Sequence, residues 1–175
     1  MRLEYLYLLA CFIPCLVACS KADQKRVLVL PPTKDIEVYK GLLDGEEDEP
    51  ADSLRFTIVT FINGDCYYCL NELNSWHLFF EKHELGDKVS LDIYIFSIDF
   101  NRFKQLISFD TSLILKAPLF LDINGKVYKE HILIEGYSSE RNAFLLNDKK
   151  EILVAGNPLT NRAVEHTYLS TVGAR

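Results

Sequence analysis

Positive charge is scarce in this chain. Its 19 Lys and Arg residues are outnumbered by 25 Asp and Glu over 175 residues, for a formal net charge of -6. No basic stripe is visible either, which excludes a nucleic-acid partner held through its phosphates. Glycine is sparse, with 8 residues, and none forms the Gly-rich turn that cradles phosphate. Ser90, Ser97 and Ser108 sit in or near regular elements with no base beside them, so no Ser-His-Asp set can be argued. No pair of carboxylates stands at a catalytic spacing, and no internal repeat or low-complexity segment is evident. The longest apolar run, residues 5–18, has about 14 residues, too few to cross a bilayer comfortably. What remains is an ordinary globular composition, 49% hydrophobic and 25% charged, enough for one domain with a real core.

That apolar run has the length of a signal-peptide core. It ends in Leu16-Val17-Ala18-Cys19-Ser20, and small residues before a cysteine at such a place resemble a bacterial lipoprotein cleavage box. The resemblance implies that residues 1–18 are removed and that Cys19 becomes the lipid-bearing first residue. Residues 19–54 are then a lipidated tether and N-terminal extension, and residues 55–175 a domain outside the cytoplasm, anchored to a membrane of the cell envelope. Of the 5 cysteines, Cys11 and Cys15 leave with the signal and Cys19 is acylated. Cys66 and Cys69 alone remain as thiols.

Their setting is informative. The apolar run Phe56–Ile62 reads as a strand, Asn63-Gly64-Asp65 as a turn, and residues 66 to 83 as a helix with Leu70, Leu73, Trp76, Leu78, Phe79 and Phe80 on its apolar face. A helix N-terminus carries unpaired N–H groups and partial positive charge, which favour thiolate over thiol. The thiolate is the form that attacks disulfides, and cysteines three apart can close on each other. Cys66 and Cys69 are therefore expected to be a redox-active pair, Cys66 attacking and Cys69 resolving. Asp65 opposes thiolate formation through its charge. Tyr67 and Tyr68 offer either an apolar lip for a partner or ordinary ring packing.

The remaining order is regular. Short strands are expected at 27–30 and 118–121, a strong central strand at 91–98, and a short helix at 101–109. A hairpin is expected from Ala143–Leu146 and Glu151–Ala155, then a closing helix at 160–172 with Thr160 as N-cap. Residues 33–43 are ambiguous, and the acidic stretch 44–50 reads as a solvated loop. Alternating strands and helices with a terminal hairpin imply an α/β domain whose central sheet is mixed and covered by helices on both faces.

This order, with Cys-x-x-Cys opening the first long helix, resembles the thioredoxin fold, and more closely the TlpA-like, membrane-tethered thioredoxins of the bacterial envelope. Residues 117–125, APLFLDING, and 142–156, NAFLLNDKKEILVAG, carry the resemblance beyond the cysteines. It covers roughly residues 55 to 172. It implies thiol–disulfide exchange with protein substrates and a redox partner protein, with no cofactor. The chain also departs from the family. A cis-proline that normally faces the cysteines aligns with Arg141-Asn142, with Pro118 as the rival position. The buried acid common six residues before the first cysteine is replaced by Thr60.

Other chemistries are weighed by the same residues. A copper or zinc site would need a distant histidine beside the cysteines, and His131 is the candidate; His77 and His83 lie on the cysteines' own helix more than a turn away. A thiol peroxidase would need Thr three residues before its cysteine, where this chain has Asn63. A binding module that keeps the disulfide as a staple remains open because of the missing proline.

Overall fold

The computed structural model describes residues 26–28, 30, 33–40, 54–110, 112–115, 117–126 and 141–174. Cys19, the acidic stretch 44–50 and His131 lie outside them. In chain order the described elements are a 3-10 turn (Thr33–Asp35), β1 (Glu37–Tyr39), β2 (Phe56–Asn63), α1 (Tyr67–His83), β3 (Val89–Phe96), α2 (Phe100–Phe109), β4 (Leu119–Leu121), β5 (Ala143–Asn147), β6 (Ile152–Ala155) and α3 (Arg162–Val172).

Six strands form one mixed sheet in the order β1-β4-β3-β2-β5-β6. β2 and β3 run parallel from Phe56↔Val89 to Asn63↔Phe96. β4 continues the parallel set beside β3, whereas β5 returns antiparallel to β2 with Thr60 opposite Ala143. β1, from the ambiguous stretch, caps the far edge antiparallel to β4. The strand expected at 27–30 contributes a single bridge, Val27 to Glu151, at the opposite edge. Leu28 nonetheless buries its side chain.

The strands sort their side chains by alternation. Ile58 and Ile62 of β2 and Ile93 and Ile95 of β3 face the main core. Leu70, Leu73, Trp76 and Phe79 of α1, Phe103 and Ile107 of α2, and Tyr168 and Val172 of α3 close it. Burial of each such side chain is favourable by about 1.5–3 kcal/mol before entropy is counted. Val59, Phe61, Tyr94, Phe144 and Leu146 face the other way and pack with Leu28, Leu30 and Ile36. Every described helix thus lies on one face of the sheet, and a helix on the second face is not among the described residues.

Several boundaries differ from the sequence expectation for local reasons. β3 ends at Phe96 because its partner β2 ends at Asn63; Ser97 and Ile98 leave the ladder, and Ile98 is 95% exposed. Leu78 lies on the outer side of α1 at 58% exposure, away from the Leu70–Leu73–Trp76 face. The closing helix begins later than expected and is capped by Asn161, whose side chain accepts from the N–H groups of Ala163 and Val164. Thr160 is left in the preceding turn, where its N–H donates to Asn157 O.

Gly64 makes the step from β2 to α1. Its N–H donates to Phe96 O at 2.9 Å, and a Cβ on it would stand 2.9 Å from both Ile95 Cγ2 and Phe103 Cδ2. Both of those side chains are fully buried, so neither can give way cheaply. Gly64→Ala is expected to lower stability by about 1–3 kcal/mol, seen as a lower urea midpoint at unchanged slope. A variant as stable as the parent would contradict this close packing.

Candidate functional site

The site grows from the end of β2. Asn63 closes the strand, and its side chain accepts the Asp65 N–H at 2.9 Å, which sets the turn. Cys66 follows in an extended conformation as the N-cap of α1, without a side-chain capping bond, and no acidic residue occupies the first turn. The first helical bond runs from Cys69 N–H to Cys66 O at 2.9 Å. Cys66 and Cys69 are joined as a disulfide with Cα atoms 5.2 Å apart. Both are half-buried, and Cys69 packs against the main core. The pair expected from sequence is therefore brought together at the positive end of a 17-residue helix, where a newly released thiolate is favoured.

Asp65 is more constrained than its exposed position suggests. One carboxylate oxygen accepts Ser97 Oγ at 2.6 Å and the other the Ile98 N–H at 2.9 Å. Its charge is thereby directed into bonds with the loop after β3. Beside it opens a cavity of about 280 Å³ lined by Asn63, Asp65, Phe96, Ser97, Ile98, Asp122 and Gly125. This cavity lies at the carboxyl ends of the three parallel strands, where open α/β sheets leave crevices. Tyr67 and Tyr68 stand in solvent at 63% and 82% exposure, their rings edge to face at 6.1 Å.

The loop before β5 reaches the same region. Asn142, in the Arg141-Asn142 stretch just ahead of β5, is only 3% exposed. Its carbonyl accepts the Phe61 N–H at 2.9 Å and the Thr60 hydroxyl at 3.3 Å. Its Nδ2 donates to Phe61 O and to Glu72 Oε1, each at 3.0 Å. Pro118 precedes β4, two strands from β2, whereas the Arg141-Asn142 stretch directly precedes β5, the antiparallel neighbour of β2. No cis peptide bond occurs among the described residues.

Sequence reasoning missed Glu72. It sought a carboxylate six residues before Cys66 and found Thr60, which is buried. The carboxylate comes from α1 itself, one turn after Cys69 and on the same side of the helix. Burial pushes its pKa above the ordinary glutamate value, partly countered by hydrogen bonds from Asn142 and Asn157 and by the nearby Trp76 indole, whose N–H lacks hydrogen-bond geometry to it. The spacing Cys-x-x-Glu was the available signal; what was not visible was the burial.

Among the described residues no group of three or more His, Cys, Asp and Glu side chains is placed to hold a metal ion. His77 and His83 are half-buried on α1, and His83 Nε2 lies 3.1 Å from Glu165 Oε1, far along the helix from the cysteines.

No family model matches the chain, and no curated protein matches it in sequence. Solved structures do resemble it. A candidate thiol-disulfide oxidoreductase from Bacteroides vulgatus is 19% identical, with 82% of this chain and 91% of that one covered at a TM-score of 0.50. StoA from Bacillus subtilis is 22% identical over 75% of this chain and 96% of its own, at 0.46. The pneumococcal exposed lipoprotein thioredoxin Etrx1 from Streptococcus pneumoniae is 13% identical over 69% and 85%, at 0.47. Identities this low speak to the fold alone. The mixed sheet, the Cys-x-x-Cys opening α1 and the first of these likenesses together identify a thioredoxin-like fold.

Proposed function

We propose that this protein is a thiol–disulfide oxidoreductase of the bacterial cell envelope. In this reading Cys66 and Cys69 exchange disulfides with protein substrates and with a redox partner protein. The single observation that carries the proposal is the half-buried Cys66–Cys69 disulfide at the N-terminus of α1. A lipid on Cys19 would hold residues 55–175 against a membrane. Among the described residues no helix is long and apolar enough to cross one.

The chemistry follows from the placement of the groups. In the reduced protein the Cys66 thiolate attacks one sulfur of a substrate disulfide. A mixed disulfide forms, and the other substrate sulfur leaves with the electron pair and takes a proton from solvent. Cys69, still a thiol, passes its proton to the carboxylate of Glu72, and its sulfur attacks Cys66 Sγ. The Cys66–Cys69 bond forms, the mixed disulfide breaks, and the second substrate sulfur departs as a thiolate. Two electrons have moved from the protein to the substrate. The same steps in reverse oxidise a dithiol. Glu72 suits the proton transfer because burial raises its pKa toward that of a thiol it must relieve.

One observation favours a second reading, a binding module with a structural staple. The loop that receives partner backbone in the resembled family here has an asparagine whose carbonyl and carboxamide are bonded internally. An insulin-reduction assay separates the two, since a staple gives no turnover.

The oxidoreductase reading predicts that Cys66→Ser abolishes disulfide exchange, whereas Cys69→Ser accumulates a covalent complex with substrate on a non-reducing gel. Full reductase activity in Cys66→Ser would reject these roles. Glu72→Gln is expected to slow formation of the Cys66–Cys69 bond near neutral pH by about 10²-fold, within the range for loss of a general base, in single-turnover kinetics. Stability moves the other way. The raised folded pKa of Glu72 means that its favourable term is present at acid pH and is lost as pH rises through that pKa. Glu72→Gln should therefore gain in urea midpoint relative to the parent as pH increases, and a constant difference across pH would contradict the buried carboxylate.

A further inference from the structure

The surroundings of Glu72 contain more design than a proton acceptor alone requires. Asn142 and Asn157 arrive from separate loops, and both are buried, at 3% and 0% exposure. Asn142 Nδ2 donates to Glu72 Oε1 at 3.0 Å and Asn157 Nδ2 donates to the same oxygen at 2.9 Å. The second proton of each carboxamide is also used, by Phe61 O at 3.0 Å and by Asn142 Oδ1 at 2.8 Å. Asn157 Oδ1 accepts the Leu159 N–H at 2.8 Å. An NH₂ group has two donors, so both carboxamides are fully committed, and neither could be turned over without setting like atoms against each other.

The two oxygens of Glu72 are consequently unlike. Oε1 is held by two donors, while Oε2 has no hydrogen bond among the described residues. Trp76 Nε1 is the one fully buried side-chain polar atom without a partner among those residues, so Oε2 is not sealed from solvent. Among the described residues, the groups named as acting on this carboxylate, Asn142, Asn157 and Trp76, are uncharged.

We infer that Asn142 and Asn157 are positioning residues that clamp Glu72 through Oε1 and thereby make Oε2 the oxygen that exchanges a proton with Cys69. This deepens the oxidoreductase reading and rests on it for the identity of the proton donor. The clamp turns a flexible glutamate into a fixed acceptor with one working atom. It does so with neutral donors, which support the carboxylate without a nearby cation that would hold it permanently ionised.

The test is a pH titration of the oxidised, isotopically labelled protein by NMR, read without substrate. In the parent protein the Nδ2 protons of Asn142 and Asn157 should shift with the same midpoint as the Glu72 carboxyl carbon, and Glu72→Gln should abolish that shift. In Asn157→Ala, loss of one donor to the charged form should move the Glu72 midpoint upward and slow single-turnover closure of the disulfide near neutral pH by about tenfold. Carboxamide signals indifferent to Glu72 in the parent would overturn the clamp even if the variant failed to fold, and so would a folded Asn157→Ala with an unmoved midpoint. Should the shifts appear in a protein that never exchanges disulfides, the clamp stands and the oxidoreductase reading falls.

Discussion

The junction between β2 and α1 organises everything else in this molecule. β2 is paired with β5 from Phe56 to Thr60 and with β3 along its whole length, so its end at Asn63 is held by the parallel ladder to Phe96. Gly64 allows no slack, because Ile95 and Phe103 approach to where a side chain would begin. Asn63 and Ser97 then tie down Asp65 from either side. Cys66 is consequently placed at the start of the helix by backbone constraint rather than by its own contacts, and Cys69 follows one turn later. A rigid scaffold that delivers a reactive group at a helix terminus needs few further residues to define its chemistry.

Two carboxylates flank that junction and are treated differently. Asp65, ahead of the cysteines, is exposed and bonded to the loop after β3, which spends its charge on local structure. Glu72, behind them, is desolvated and held by neutral carboxamides. In the proposed exchange, charge before Cys66 works against its thiolate, whereas a protonatable group one turn after Cys69 works for proton transfer. The asymmetry matches the roles assigned to Cys66 and Cys69. Asn142 links the two parts: its backbone joins β2 and its side chain joins the carboxylate.

What could be read in the sequence was what depends on near neighbours. The strand, turn and Cys-x-x-Cys–helix succession lies within about thirty residues, and periodicity alone places it. The 143–155 hairpin is equally local. Legibility ended where partners come from afar. Asn142 and Asn157 meet Glu72 across separations of 70 and 85 residues, and no spacing rule links them. The exposed position of Ile98 depends on where β2 stops. The choice of Asn161 over Thr160 as cap depends on the turn that Asn157 makes. In each case a local preference was real and a tertiary contact decided between candidates.

The central claim is that the Cys66–Cys69 disulfide is an exchangeable one. Its reduction potential, measured by equilibration with glutathione or dithiothreitol buffers, tests that most directly. A redox-active pair at a helix N-terminus should fall between about -120 and -270 mV, where the known exchange proteins lie. A value below about -300 mV would mark a passive structural bond and contradict the account.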